Sequence, residues 1–281
     1  MAFEQHLERN LFDLLVDLED GAYRHGPYMT FELKDSKRRR IDKATVRDRV
    51  VHELLFRHME SVFERRFIAD SFSSRKGKGT LAALARAEAF LAPWRCGATG
   101  WTVVIGDVES FFASVPHTLL LSLLAQRISD TRVLALLEIV IRSFHSCRGP
   151  DQGIPLGNVT SQIFANVVLH ELDHEAKHVL RLHKYLRYND DVLAVVATHE
   201  EAWKVEAYFR RRTQRFGLTM KTSLSVLSSS TQFDWLGARH VKGGRTVRFD
   251  TQERVRHACT EGARKFVCRR MTENTFRRMV L

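Results

Sequence analysis

The sequence predicts an α+β fold in which amphipathic helices pack around short antiparallel strands. Three observations carry this. Apolar residues recur at three- and four-residue steps in long segments near the N-terminus and through the middle of the chain. Trp101-Thr-Val-Val-Ile-Gly106 is a short, continuous apolar run of strand-forming residues. Lys184–Val196 has two strand-forming halves around Asn189-Asp190-Asp191, the pattern of a tight hairpin.

The elements follow in order. Residues 3–20 place Phe3, Leu7, Leu11, Leu14, Leu15 and Leu18 on one helical face, ended by Gly21, and a core-packing helix is expected. Residues 28–34 read as a strand, followed by a basic turn, Asp35-Ser-Lys-Arg-Arg-Arg40. Residues 45–66 form a second amphipathic helix, with Val46, Val50, Leu54, Met59, Val62 and Phe63 expected to face inward. Ser74-Arg-Lys-Gly-Lys-Gly-Thr80 opens a helix to about Leu91. Glycines and cations at a helix N-terminus favour an anion, here through Arg75, Lys76 and Lys78. Pro93 to Gly100 breaks the pattern and is the first plausible subdomain boundary.

After the Trp101–Gly106 strand and Asp107, helices are expected from 119 to 128 and from 133 to 144. The Gly/Pro-rich loop 148–162 then feeds a helix from 161 to 179 with Phe164, Val167, Val168 and Leu172 inside. The hairpin follows, then a helix over 200–216 closed by Gly217, and strands at 223–227 and 232–236. Residues 262–281 are basic, with Arg264, Lys265, Arg269, Arg270, Arg277 and Arg278 among Phe266, Val267, Phe276 and Met279.

Composition narrows the function. The 44 Lys and Arg against 33 Asp and Glu give a net charge of +11, which suggests a polyanionic partner, nucleic acid before an anionic membrane. No apolar run approaches a membrane span, and the first residues lack the pattern of a signal peptide. The four cysteines form no Cys-x-x-Cys pair, so a zinc knuckle or disulfide framework is not expected and a reduced cytoplasmic setting is.

Asp107 ends a buried strand, a poor structural position for a carboxylate and a good one for a metal ligand. With Asp190 and Asp191 at the hairpin tip it makes three carboxylates on two strands. Like charges at close range resist joint ionisation unless a cation joins them. Two Mg²⁺ ions about 3.5–4 Å apart would suit such a set and would serve phosphoryl transfer. Neighbouring residues on a strand face opposite ways, so Asp190 and Asp191 are expected to contribute unequally, with Asp190 bridging.

Taken in order, strand–Asp107–x4–Phe112, Gly153-x-Pro155-x-Gly157-x-x-x-Ser161, Tyr188-x-Asp190-Asp191 and Phe233-x-x-Leu236-Gly237 resemble the palm of reverse transcriptases. Lys37-x-Arg39-x-Ile41 resembles the fingers of the same family, and the likeness runs from about residue 10 to about 240. It implies a right-hand polymerase fold: helical fingers over 1–95, an antiparallel-sheet palm over 96–240, and a basic segment over 241–281 that starts a short or truncated thumb. It implies metal binding by Asp107, Asp190, Asp191 and the Val108 carbonyl. Lys37 and Arg39 would grip the triphosphate, and Phe112, beside Phe111, would exclude a 2′-hydroxyl. Pro155, Leu156 and Gly157 would underlie the nascent pair. Asn158, Ser161, Gln162 and Tyr188 would lie along the nucleic acid, Phe233, Leu236 and Gly237 would form the primer grip, and Lys221 would act as general acid.

One departure is informative. Where most of the family has Gln, this loop reads Pro155-Leu-Gly-Asn-Val-Thr-Ser-Gln162. Together with Arg75-x-Gly77-Lys-Gly-Thr80, that resembles the reverse transcriptases of diversity-generating retroelements, encoded by bacteria and phages. The resemblance implies copying of template RNA from a primer with dNTPs into cDNA, errors at template adenines, and a small basic accessory protein. Leu156 cannot make the hydrogen bonds that a Gln would offer near the sugar and base. A retron, intron-derived or phage-defence reverse transcriptase remains an alternative within the class. Outside the class stands a non-catalytic RNA-binding protein on the same fold.

Overall fold

The computed structural model describes residues 2–34, 38–97, 99–228 and 230–267. Lys37 of the basic turn lies outside them, as do residues 268–281 and the side chains of 262–267. The expectations placed on Lys37 and on the side chains of the basic C-terminal cluster thus lie outside the described residues.

The chain opens with α1 (Ala2–Gln5) and α2 (Leu7–Glu19), then a hairpin of β1 (Met29–Lys34) and β2 (Arg38–Lys43). Two long helices follow, α3 (Val46–Phe63) and α4 (Thr80–Arg95). After them come β3 (Thr102–Val108), α5 (Phe111–Ser114), α6 (His117–Ala125), α7 (Thr131–Arg142) and α8 (Val159–His178). The hairpin β4 (Tyr185–Tyr188) and β5 (Asp191–Val196) leads to α9 (His199–Arg215) and β6 (Met220–Val226). The described chain ends with β7 (Gln232–Trp235), β8 (Ala238–Val241), β9 (Gly244–Val247) and α10 (Phe249–Val267).

The central sheet is antiparallel, in the order β4-β5-β3-β6. Both of its faces are covered, which explains why β3 and β5 read as unbroken apolar runs rather than alternating ones. Val104, Val192 and Ala194 belong to the larger core, built with α3, α6, α7, α8 and α9. Val103, Leu193 and Val195 face a second core made with α4 and the β7–β9 sheet. Gly106 sits where the strands come closest: a Cβ there would meet Val192 at 2.7 Å and Met220 at 3.0 Å. The layout is the one the sequence resemblance implied: helices and a β-hairpin in the N-terminal part, followed by an antiparallel sheet packed against helices.

Several expectations need correction. Of the α2 stripe only Leu14 is buried and Leu18 partly so, while Leu7, Leu11 and Leu15 are exposed with Phe12 and Val16. The helix rests on the core by one edge instead of by its apolar face. The inward face of α3 carries Asp48, Val51, His52, Leu55, Met59 and Phe63, and leaves Val50 and Leu54 outside. Its polar members are satisfied internally: the Asp48 carboxylate accepts from Tyr23, Thr45 and the Gly26 N–H, and His52 bonds Thr160. Buried polar residues with complete hydrogen bonding shift the core-facing stripe by one residue. Helix α4 continues through Pro93 to Arg95. A short helix, α5, precedes Pro116, and β8 and β9 extend β7 into a three-stranded sheet.

Candidate active site

The site is built at the end of the central sheet. Tyr188, Asp191, Asp107 and Lys221 are register partners across β4, β5, β3 and β6. Partners directly opposite in antiparallel strands leave the same face, with Cβ atoms about 4.5–5.5 Å apart. By alternation this is the face of Val103 and Leu193, which α4 and the β7–β9 sheet cover further along. The result is a row of one phenol, two carboxylates and one ammonium across four strands. Lys221 also pairs with Glu109 at 3.4 Å.

Asp190 stands beside the row, in the two-residue turn between β4 and β5. Its partner in that turn, Asn189, has φ +55° and donates from Nδ2 to Asp190 Oδ1 at 2.9 Å. Burial pushes the Asp190 carboxyl up, and the Asp107 carboxylate pushes it further, while Asn189 and Arg187 pull it down. The register thus sets Asp191 directly opposite Asp107, and Asp190 shares the same field from the turn. Among the described residues, no group of three or more His, Cys, Asp or Glu side chains closes to a chelating cluster. Asp107, Asp190 and Asp191 nonetheless share one end of the sheet. Their donors are hard carboxylate oxygens, the kind Mg²⁺ takes, and one of them carries an electrostatic penalty that a divalent cation would relieve. The residues present fit that ion.

The turn is held from beneath by a network the sequence pattern did not expose. Arg187 has no solvent exposure. Its Nε and Nη2 donate to Asp173, Nη2 also to Ser71 Oγ, and Nη1 to Asn166 Oδ1 and to the Asn189 carbonyl at 2.8 Å. The Tyr185 hydroxyl completes Asp173 at 2.7 Å. Burial disfavours the charge on Arg187, but Asp173 beside it shifts the guanidinium upward on balance.

The loop at 153–162 fastens the fingers hairpin to the palm. The Asp42 N–H donates to the Leu156 carbonyl, and Asn158 bonds both the Asp42 carbonyl and the Ala44 N–H. Ser161 donates to the Pro155 carbonyl at 2.6 Å. Gly157 has φ +107°, and a Cβ there would come within 2.7 Å of Ile41, so the close approach of loop and hairpin requires glycine. The Ile154 N–H reaches the Phe112 carbonyl at 2.7 Å, tying the segment after Asp107 to the same loop.

Several candidate contact residues prove to be internal. Asn158 and Ser161 are buried and their side chains are occupied with backbone groups, so they shape the loop. Phe111 is in the core, and Phe112 beside it is half-buried. Arg75 is bound to Glu64 and to the carbonyls of Ile68 and Ser71, which closes the 67–75 loop instead of offering a phosphate contact. Lys78 donates to the Ala69 carbonyl and lies over the Phe72 ring. Phe233 is buried and stacked on His240. Leu236 and Gly237 form the β7–β8 turn with φ +48° and +73°; a leucine held in the left-handed region marks a strained turn. Arg39, Lys76 and Gln162 are exposed, Leu156 is half-buried, and Val108 closes β3 with its side chain buried. The Tyr188 hydroxyl accepts from Thr80 Oγ1 at 2.9 Å, joining the hairpin to the start of α4.

A fingers hairpin latched to a palm whose sheet ends in a carboxylate row defines the class. Residues 32–240 match the family described as reverse transcriptase (RNA-dependent DNA polymerase), and the chain belongs to that family. Protein YkfC of Escherichia coli (strain K12) is 32% identical over 164 residues, 56% of this chain and 42% of that one. The group II intron-encoded protein LtrA of Lactococcus lactis subsp. cremoris is 27% identical over 62% of this chain and 29% of its own length. An uncharacterized 91 kDa protein in a cob intron of Schizosaccharomyces pombe is 29% identical over 56% of this chain and 21% of that one. The chain therefore spans less than half the length of each of these relatives. Among solved structures, telomerase from Candida tropicalis in complex with a TWJ fragment of telomeric RNA superposes with a TM-score of 0.57. The identity is 12%, over 96% of this chain and 55% of that one, and the likeness is one of fold.

Proposed function

We propose that this chain is an RNA-directed DNA polymerase that extends a primer with dNTPs on template RNA. The observation that carries the reading is the row of Asp107 and Asp191, with Asp190 beside it, at the open end of the palm sheet. Asp107, Asp190, Asp191 and the Val108 carbonyl would hold two Mg²⁺ ions, which would supply charge neutralisation at the attacking hydroxyl and the departing pyrophosphate. Arg39, exposed on β2, and Lys37 would bind the triphosphate by charge-assisted hydrogen bonds. Lys221, opposite Asp107, would give a proton to the leaving pyrophosphate. Pro155, Leu156 and Gly157 would underlie the new base pair, with Phe112 excluding a 2′-hydroxyl. The β7–β8 turn at Leu236-Gly237 would support the primer, and Lys76 and Gln162 would meet the nucleic-acid backbone. The fingers would take residues 1–95, the palm 96–240, and the start of a thumb the remainder.

Within that activity, the Leu156 loop supports error-prone synthesis at template adenines in a diversity-generating retroelement. A small basic accessory protein would complement α2, whose exposed Leu7, Leu11, Phe12, Leu15 and Val16 are flanked by Glu8, Asp13, Asp17 and Glu19. Cytoplasmic action in a bacterial or phage setting accords with the free Cys96, Cys147 and Cys259. No described helix is long and apolar enough to cross a membrane. The second reading is an intron-derived reverse transcriptase, favoured by the likeness to LtrA and the cob-intron protein.

Sequencing the products of primer extension on a defined RNA separates the readings. Substitutions concentrated opposite template adenines are expected. Uniformly faithful cDNA would overturn the error-prone reading in favour of the intron-derived one, and no extension in Mg²⁺ would overturn the polymerase.

A further inference from the structure

Five N–H groups is the full complement of a guanidinium, and Arg187 commits all five within a fully buried space. Nε is shared between the two Asp173 oxygens at 2.9 Å each. Nη2 serves Asp173 at 2.7 Å and Ser71 at 3.0 Å. Nη1 serves Asn166 at 3.1 Å and the Asn189 carbonyl at 2.8 Å. The Arg187 backbone is pinned as well, its N–H to the Asp70 carbonyl and its carbonyl to the Phe72 N–H. The guanidinium thus joins four separate stretches: the 70–72 segment, the middle of α8, β4 and the turn itself.

A buried ion pair is a poor way to stabilise a fold, because apolar side chains of similar volume often do as well or better. What apolar side chains cannot do is hold a carbonyl oxygen. The one this guanidinium holds belongs to Asn189, the left-handed residue that immediately precedes Asp190. Fixing that peptide orients the backbone from which both turn aspartates depart. We propose that Arg187, locked by Asp173, is the positioning residue of the aspartate turn. Through the Asn189 carbonyl it sets where Asp190 and Asp191 stand relative to Asp107, and so sets the affinity for divalent cations. This rests on the polymerase reading and adds to it a residue that touches neither metal nor nucleotide.

The test compares wild-type protein with Arg187→Met/Asp173→Leu, which removes both buried charges together, and with Arg187→Lys, which keeps the charge and loses the fork. Mn²⁺ binding is measured by electron paramagnetic resonance without nucleic acid, and the Mg²⁺ dependence of primer extension is measured separately. Both variants are expected to melt as single cooperative units and to bind the RNA–primer duplex as wild type does. Their Mn²⁺ affinity is expected to fall by at least about tenfold, the usual cost of losing an outer-shell support, and the Mg²⁺ requirement to rise in parallel. A folded variant with wild-type Mn²⁺ affinity would overturn the assignment. If the double variant does not fold, Arg187→Lys alone decides by the same two readouts. Wild-type protein that binds Mn²⁺ but extends no primer would count against the polymerase reading and leave the Arg187 comparison intact.

Discussion

Asn158 grips the backbone on both sides of Lys43: its Nδ2 donates to the Asp42 carbonyl at 2.7 Å and its Oδ1 accepts from the Ala44 N–H at 3.0 Å. One side chain therefore couples the Leu156 loop to the strand that carries Arg38, Arg39 and Arg40. Asn158→Ala leaves two buried backbone groups without partners, a cost of roughly 2–4 kcal/mol. Urea unfolding should register that loss. Steady-state extension should show a raised KM for dNTP, since the loop and the fingers strand no longer hold a common position.

Leu156 contributes its backbone carbonyl to the same seam, accepting from Asp42, while its side chain is half-buried. Leu156→Gln keeps the carbonyl and adds hydrogen-bonding capacity at the position proposed to underlie the nascent pair. Misincorporation opposite template adenine should fall in sequenced products while the seam, and hence the melting temperature, stays as in wild type.

Asp190 holds a proton more tightly in the folded chain than in the unfolded one, because burial and Asp107 disfavour its charge. A group bound more tightly in the native state makes stability fall as pH rises through its raised value. Without divalent ions, Asp190→Asn should therefore melt at a higher temperature than wild type at pH 7. Added Mg²⁺ should raise the melting temperature of wild type and do less for the variant. Differential scanning fluorimetry with and without chelator measures both.

His52 is buried and shifted down to about 4, by desolvation first and then by His25. The neighbours fix its proton. The Gly26 carbonyl only accepts, so His25 Nδ1 donates to it; with His25 neutral, its Nε2 accepts from His52 Nε2–H at 3.0 Å and His52 Nδ1 accepts from Thr160 at 2.6 Å. The unfolded imidazole takes its proton near its ordinary value of 6.5, and the folded one resists until about 4. Stability is thus present above 6.5 and lost as pH falls from there toward 4, by up to about 3 kcal/mol from this residue. Urea midpoints at pH 7 and pH 5 should differ less in His52→Gln than in wild type.

What the sequence discloses is the chemistry carried by short motifs. Asp107 at a strand end, the Asn189-Asp190-Asp191 turn and the Pro155-Leu-Gly loop are each local, and their order along the chain makes them specific. What it conceals depends on partners far apart in sequence. Asp48 and His52 read as the outer face of α3 until Tyr23, Gly26 and Thr160 are seen to satisfy them. Nothing in the local pattern around Arg187 points to Asp173, Asn166 and Ser71, which close around it. Asn158 and Ser161 lie in a loop that resembles a nucleic-acid contact, yet their side chains turn inward to build it. Strands β8 and β9 are short and carry Arg239, His240 and Arg245, so they lack an apolar pattern to announce them.

The most direct test is single-turnover incorporation of one dNTP on an RNA template with a DNA primer in Mg²⁺, comparing wild type with Asp107→Asn and Asp190→Asn. Wild type should extend the primer by one templated nucleotide. Each variant should bind the duplex with wild-type affinity and fail to extend, because only the carboxylate row at the end of β3 and the β4–β5 turn has changed. Templated incorporation that survives loss of either carboxylate would contradict the site assigned to this chain.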